Sequence, residues 1–95
     1  MPVSLADVTT ANASRYLQQL CKHWSHKFEV KFDAHTGTVP FNETAQLVLT
    51  ANGDILSLRL DAPAERLQTL EQVVEDHLKR FAFREELHFE WRPAA

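Results

Sequence analysis

The sequence predicts an α+β fold, a two-layer sandwich with two helices on one face of a mixed or mainly antiparallel sheet, in the order β-α-β-β-β-β-α-β. Three observations predict it. Residues 12–26 and the segment after Pro63 repeat apolar side chains at helical spacing. The segments between and after them alternate apolar and polar residues with period two. Every alternating segment also keeps a polar side, which excludes a sheet buried on both faces and sends both helices to the same one.

The first ten residues are the most weakly patterned, with Val3, Leu5 and Val8 as candidates for burial on a first strand. Ala13, Tyr16, Leu17, Leu20, Cys21 and Trp24 then form one helical stripe. Thr10 and Asn12 each offer a side-chain oxygen to its first turn. Lys22, His23, His26 and Lys27 crowd its end, where the helix dipole favours positive charge. Phe28, Val30 and Phe32 alternate with Lys27, Glu29, Lys31 and Asp33, predicting a strand over residues 27–33. A loop over residues 33–37 leads to a short strand over 38–41, which Pro40 confines to an edge or an end. Leu47, Leu49 and Ala51 face one way on the next strand. Asn52-Gly53 then predicts a type I′ hairpin, and Leu56, Leu58 and Leu60 return on its far side. After Pro63, Leu67, Leu70, Val73, Val74, Leu78 and Phe81 make a second helical face. Leu87, Phe89 and Trp91 alternate with Glu86, His88, Glu90 and Arg92, predicting a last strand.

Totals bound the function. A chain of 95 residues holds one domain, here residues 1–95, with 44% hydrophobic and 24% charged residues. Its apolar runs are far shorter than the ~20 residues of a membrane span, and its start lacks the pattern of a secretion signal. Cys21 is alone and forms no disulfide within one chain. A cytoplasmic location is therefore expected, without a membrane role. A formal charge of -3 disfavours nucleic acid as a partner.

Chemistry-bearing residues concentrate in one place. Lys22, His23, His26 and Lys27 are the main positive cluster of an acidic chain and form a candidate anion or ligand site. His23 and His26, at i and i+3, can reach one ion. With His35 on the loop beyond the next strand they form a candidate metal site for Fe or Zn. The plainer reading is that such residues compensate the helix dipole and coat a solvated face. Cys21 continues the stripe of Leu17, Leu20 and Trp24, which favours a buried thiol over a nucleophile. His77 lies at the margin of the second helical face, where a packed edge histidine is expected. His88 joins Glu86, Glu90 and Arg92 on a polar strand face, and cross-strand pairing accounts for these charges without catalysis. With only Gly37 and Gly53, a phosphate-cradling loop has no material. Phe81 and Phe83, two apart, are expected to cap the core. Exposure of either would mark an association surface.

Two segments also carry a family resemblance: residues 15–27, with Cys21-Lys22-His23-Trp24-Ser25-His26-Lys27, and residues 77–85, with Arg80-Phe81-Ala82-Phe83-Arg84-Glu85. They resemble the bacterial domain of unknown function family 2218. The likeness runs from Ala6, Val8 and Thr10 to Trp91, with Trp24 standing where relatives look to have Phe. The family implies no established activity. The joining of some members to siderophore-interacting or iron-uptake proteins implies a role in iron handling. The first expectation is thus a non-enzymatic module binding a ligand, metal or iron-uptake partner at the first helix's end. The alternative is a homodimeric interaction module using a strand edge or exposed aromatics. A small enzyme using Cys21 or the histidines is a third.

Overall fold

The computed structural model describes residues 2–94. Its elements are β1 (Val3–Thr9), α1 (Ala13–Trp24), β2 (Lys31–Phe32), β3 (Thr36–Asn42), β4 (Ala45–Asn52), β5 (Ile55–Asp61), α2 (Ala64–Phe81) and β6 (Arg92–Pro93). The strands form one sheet in the order β2-β3-β4-β5-β1-β6, with every neighbouring pair antiparallel. The predicted element order and two-layer α+β class are those observed.

This order explains why both helices share a face. β1 and β2 run in the same direction, and α1 carries the chain from one to the other across three intervening strands. β5 and β6 run the opposite way, and α2 carries the chain in the opposite lateral sense across β1. Reversing both strand direction and lateral direction is a half-turn about the sheet normal, so a single right-handed crossover rule puts both helices on the same side. There α1 packs across β3, β4 and β5, with α2 beside it over β5.

The inner face carries the core. Val39, Leu47, Leu49, Leu56, Leu58 and Leu60 meet Leu17, Leu20 and Cys21 of α1 and Val74 and Leu78 of α2, all essentially inaccessible. On β1 the inward side chains are Ser4, Ala6 and Val8, while Val3 and Leu5 lie half-buried on the outer face. The expectation of Val3 and Leu5 in the core is thereby corrected. Residues 3, 5 and 8 cannot share one face at period two, and the small residues at 4 and 6 leave room for the layer above.

Three further differences have local causes. The strand expected over 27–33 shrinks to Lys31–Phe32, because Lys27 and Phe28 donate to the Trp24 carbonyl and extend the turn after α1 (2.9 Å each). The hairpin at Asn52-Gly53 exists, but Asn52 pairs with Ile55, so Gly53 and Asp54 are its central residues. Only Gly53 has positive φ (61°), the φ pattern of a type II′ turn and not I′. The last strand is two residues long. Leu87, Phe89 and Trp91 do alternate inward, but onto α2 instead of a sheet: the Trp91 indole donates to Glu75 Oε1 (2.6 Å), and Lys79 Nζ stands 5.7 Å from the Phe89 ring centre. Alternation marks an extended chain with two unlike sides, and a helix surface satisfies one side as well as a sheet does.

The tightest approach between layers is at Gly37 on β3. A Cβ there would lie 2.5 Å from Cys21 Sγ and 3.4 Å from Leu17. Gly37→Ala is expected to destabilise the protein by about 1–3 kcal/mol through overpacking. Adding Cys21→Ala is expected to restore part of that loss, because the sulfur is the obstructing atom. Denaturant midpoints of the two single variants and the double variant measure the coupling.

Candidate functional site

The residues of the expected ligand block lie at the C-terminal end of α1 and in the turn after it. Lys22 and His23 lie in the last turn of α1, His26 and Lys27 follow in the turn beyond Ser25, and all four side chains are exposed. The ion pairs among the described residues are Arg59–Asp61, Lys79–Glu75 and Arg92–Asp7, so neither Lys22 nor Lys27 has a carboxylate partner there.

The predicted metal triad does not assemble. Asp33 accepts from the backbone N–H groups of His35 and Thr36 (2.7 and 2.8 Å), which folds the loop, and these bonds hold its carboxyl below the usual aspartate value. Ser14 Oγ then donates to the Ala34 carbonyl (2.6 Å), tying that loop to the first turn of α1. Ser14 and His23 are nine residues apart on one helix, roughly 13 Å at 1.5 Å per residue. His35 is therefore held at the opposite end of α1 from His23 and His26. Among the described residues no group of three or more His, Cys, Asp or Glu side chains is placed to hold a metal ion.

His23 turns instead toward α2. Its ring centre lies 5.4 Å from that of His77 and 6.0 Å from that of Phe81. His77 is half-buried, 5.0 Å from the Trp24 ring centre. Trp24 continues the cluster to Phe41 at 5.1 Å, and Phe28 closes on Phe41 at 5.3 Å. The expected packed-edge role of His77 thus holds, but the group it packs beside is the site histidine of α1. A separation of 54 residues between His23 and His77 carries no sequence signal.

Cys21 offers no nucleophile. It is inaccessible, and burial pushes its thiol up to about 11, so it stays protonated at neutral pH. Phe83 does not cap the core: it is 80% exposed, because Ala82 turns inward in its place and Arg84 lies over the Phe83 ring. Nor do Glu86, His88 and Glu90 reach the open sheet face, since their segment lies along α2. On that face Asp7 binds Arg92 (2.9 Å) and accepts from Ser57 Oγ (2.9 Å). Both contacts, Ser57 foremost, lower its pKa.

A residue that sequence reasoning passed over organises the other end of α1. Glu85 Oε2 accepts from Tyr16 OH (2.5 Å), Asn12 Nδ2 (2.9 Å) and Thr10 Oγ1 (3.2 Å). Asn12 is the N-cap residue, yet its side chain makes no capping bond to the helix. It holds Glu85, whose charge lies near the positive end of a helix with no acidic residue in its first turn. The three donors, Tyr16 first, hold the Glu85 carboxyl below its ordinary value, while burial and then Glu85 itself raise Tyr16. A cleft of about 530 Å³ opens beside them, between Arg15, Phe83 and Arg84.

Glu85→Ala leaves three donors without their acceptor and is expected to cost about 1–3 kcal/mol. The pH dependence follows from the depressed pKa. The ionised form is favoured in the folded state, so its contribution is complete above the ordinary value of 4.5 and is lost as pH falls through the lower folded value. Thermal melts from pH 7 to pH 2 should therefore show the wild type and Glu85→Ala converging in stability at the acid end.

Comparison with known proteins agrees with this architecture. Residues 5–92 match the family described as "Uncharacterized protein conserved in bacteria (DUF2218)". The chain is similar to PA4090 from Pseudomonas aeruginosa, solved by NMR, with 40% identity and a TM-score of 0.82 over 99% of this chain and 98% of that one. No curated protein matches the sequence. Among the described residues no helix is long and apolar enough to cross a membrane.

Proposed function

Because the chain belongs to the DUF2218 family of uncharacterised bacterial proteins, whose description names no activity, we propose a function from its own geometry: a non-enzymatic accessory module that binds an anionic ligand at the C-terminal end of α1. The observation that carries the reading is the exposed group of Lys22, His23, His26 and Lys27 without a carboxylate partner on either lysine. Dipole compensation alone accounts for one or two such charges. Four cationic or ionisable groups within six residues, in a chain of net charge -3, supply a local positive field for carboxylates or phosphates. An anionic iron chelate is the ligand class that matches the iron-handling role implied by the family resemblance. A free, buried Cys21 suits work in a reducing compartment such as the cytoplasm.

Titration calorimetry with citrate and ferric citrate tests this. Binding is expected to weaken with added salt and to fall several-fold in Lys22→Ala/Lys27→Ala, because exposed charge contacts are screened. Equal heats for wild type and double variant would remove the lysines from the site.

A second reading is favoured by Phe32, 41% exposed on the edge strand β2. At the opposite edge, Pro93 of β6 lacks a backbone N–H, which guards against pairing. β2 has no proline, and although its two-residue length and Lys31 blunt this edge, antiparallel pairing of two β2 edges through Phe32 would join two copies. Sedimentation velocity is expected to show a concentration-dependent dimer that Phe32→Ser abolishes. A monomer at high micromolar concentration would eliminate this reading.

A further inference from the structure

His23 and His77 bring two imidazoles together across the two helices. The ring centres are 5.4 Å apart, with planes inclined by 50°. Two imidazoles that each bind one tetrahedral ion at ~2.0–2.1 Å have ring centres about 5 Å apart. The observed spacing matches that of two imidazoles sharing one ion.

A second observation concerns which nitrogen is available. His77 Nδ1 lies 2.8 Å from the carbonyl oxygen of Val73, one turn earlier on α2. A carbonyl only accepts, so Nδ1 carries the proton, and in the neutral ring Nε2 is left with the lone pair. Metal-binding histidines characteristically donate one ring N–H to a carbonyl or carboxylate and ligate through the other nitrogen, because that bond fixes the tautomer and the ring direction. Trp24 flanks the half-buried His77 ring at 5.0 Å, and the Phe81 ring lies 6.0 Å from that of the exposed His23.

We propose that His23 and His77 form a two-imidazole site for a divalent transition-metal ion of the Zn²⁺ or Ni²⁺ class, with its remaining positions held by water. Imidazole ligation selects such ions over Mg²⁺ and Ca²⁺, which take oxygen ligands. No third His, Cys, Asp or Glu side chain completes the set among the described residues, so the ion stays open to an exogenous ligand. A bound ion adds positive charge beside Lys22. The inference deepens the proposed anion-binding surface by naming a second ligand class, and rests on that reading only in sharing its location.

The test is titration of the full chain with ZnCl₂, and separately MgCl₂, in a non-coordinating buffer, followed by calorimetry and by histidine side-chain NMR. Saturable 1:1 binding of Zn²⁺ and no binding of Mg²⁺ are expected, with the largest shifts at the rings of His23 and His77. His77→Phe and His23→Phe keep a ring in the cluster but remove its nitrogens, and each is expected to lose Zn²⁺ binding. Lys22→Ala/Lys27→Ala is expected to keep it. No saturable Zn²⁺ binding by the wild type, unchanged binding by His77→Phe, or shifts led by His26, His35 or His88 would each overturn the assignment. The wild-type NMR titration decides the matter even if a Phe variant fails to fold. Loss of the metal site with citrate binding intact sinks this inference alone, whereas loss of citrate binding with Zn²⁺ binding intact sinks only the anion reading.

Discussion

The depth at which α1 sits on the sheet governs most of what surrounds it. Cys21 meets the backbone of β3 where Gly37 has no side chain, and this contact lets Leu17 and Leu20 reach the leucines of β4 and β5. With the helix held at that depth, both of its ends are committed. The C-terminal end brings Trp24 and His23 against α2, and the N-terminal end brings Tyr16 within reach of the loop that follows α2. Buried interiors are close-packed, so a shift of one ångström at Gly37 would be transmitted along the helix instead of absorbed. The sites at both ends of α1 therefore depend on a residue that touches neither.

Glu85 adds a polar tie between the second helix and the first to the apolar packing they share. Its carboxylate gathers donors from the end of β1, the N-cap of α1 and the helix itself. One ionised group thus fixes the loop after α2, and with it the start of the extended segment that lays Leu87, Phe89 and Trp91 along α2. Glu75 secures the far end of that segment through the Trp91 indole. Two carboxylates at either end of an unpaired strap do what ladder hydrogen bonds would have done for a strand. This explains how residues 86–91 are held outside the sheet while the backbone pairs with β1 from Arg92 onward, the Ala94 N–H donating to the Val3 carbonyl.

What could be read from the sequence divides along the same physical line. Elements defined by their own periodicity were legible: the stripe from Ala13 to Trp24, the alternating leucines of β4 and β5, and the face of α2 from Leu70 to Leu78 all lie where spacing puts them. Elements defined by a partner were not. The alternation of Phe28, Val30 and Phe32 resembles that of Leu87, Phe89 and Trp91, and neither pattern says whether the opposing surface is a strand, a helix turn or nothing. The hairpin at Asn52-Gly53 was visible, but the choice of central residues depends on register. At the site, Lys22, His23, His26 and Lys27 were visible because they are neighbours in sequence. His35 lies apart from them because partners distant in sequence, Ser14 on α1 and Ala51 on β4, hold its loop at the other end of α1.

The same distinction explains why His77 belongs with His23 although spacing gives no hint of it. Both helices leave the sheet by crossovers of one hand, which makes them neighbours on one face. Their order along the sheet then sets what meets: the last turn of α1 lies against the C-terminal half of α2, since His23 approaches both His77 and Phe81. The two helices run antiparallel, so α2 passes His23 at His77 and carries on toward the N-terminal end of α1, where Glu85 meets Asn12 and Tyr16, and each helix has its own C-terminal carbonyls to compensate. Lys22, His23, Lys79 and Arg80 occupy these last turns, and dipole compensation accounts for the presence of positive charge there. It does not account for two imidazoles side by side, one with its proton fixed on the backbone-facing nitrogen, because lysine or arginine would serve the dipole equally well. That surplus of specific chemistry over electrostatic need is what singles out this junction from the other charged surfaces of the molecule.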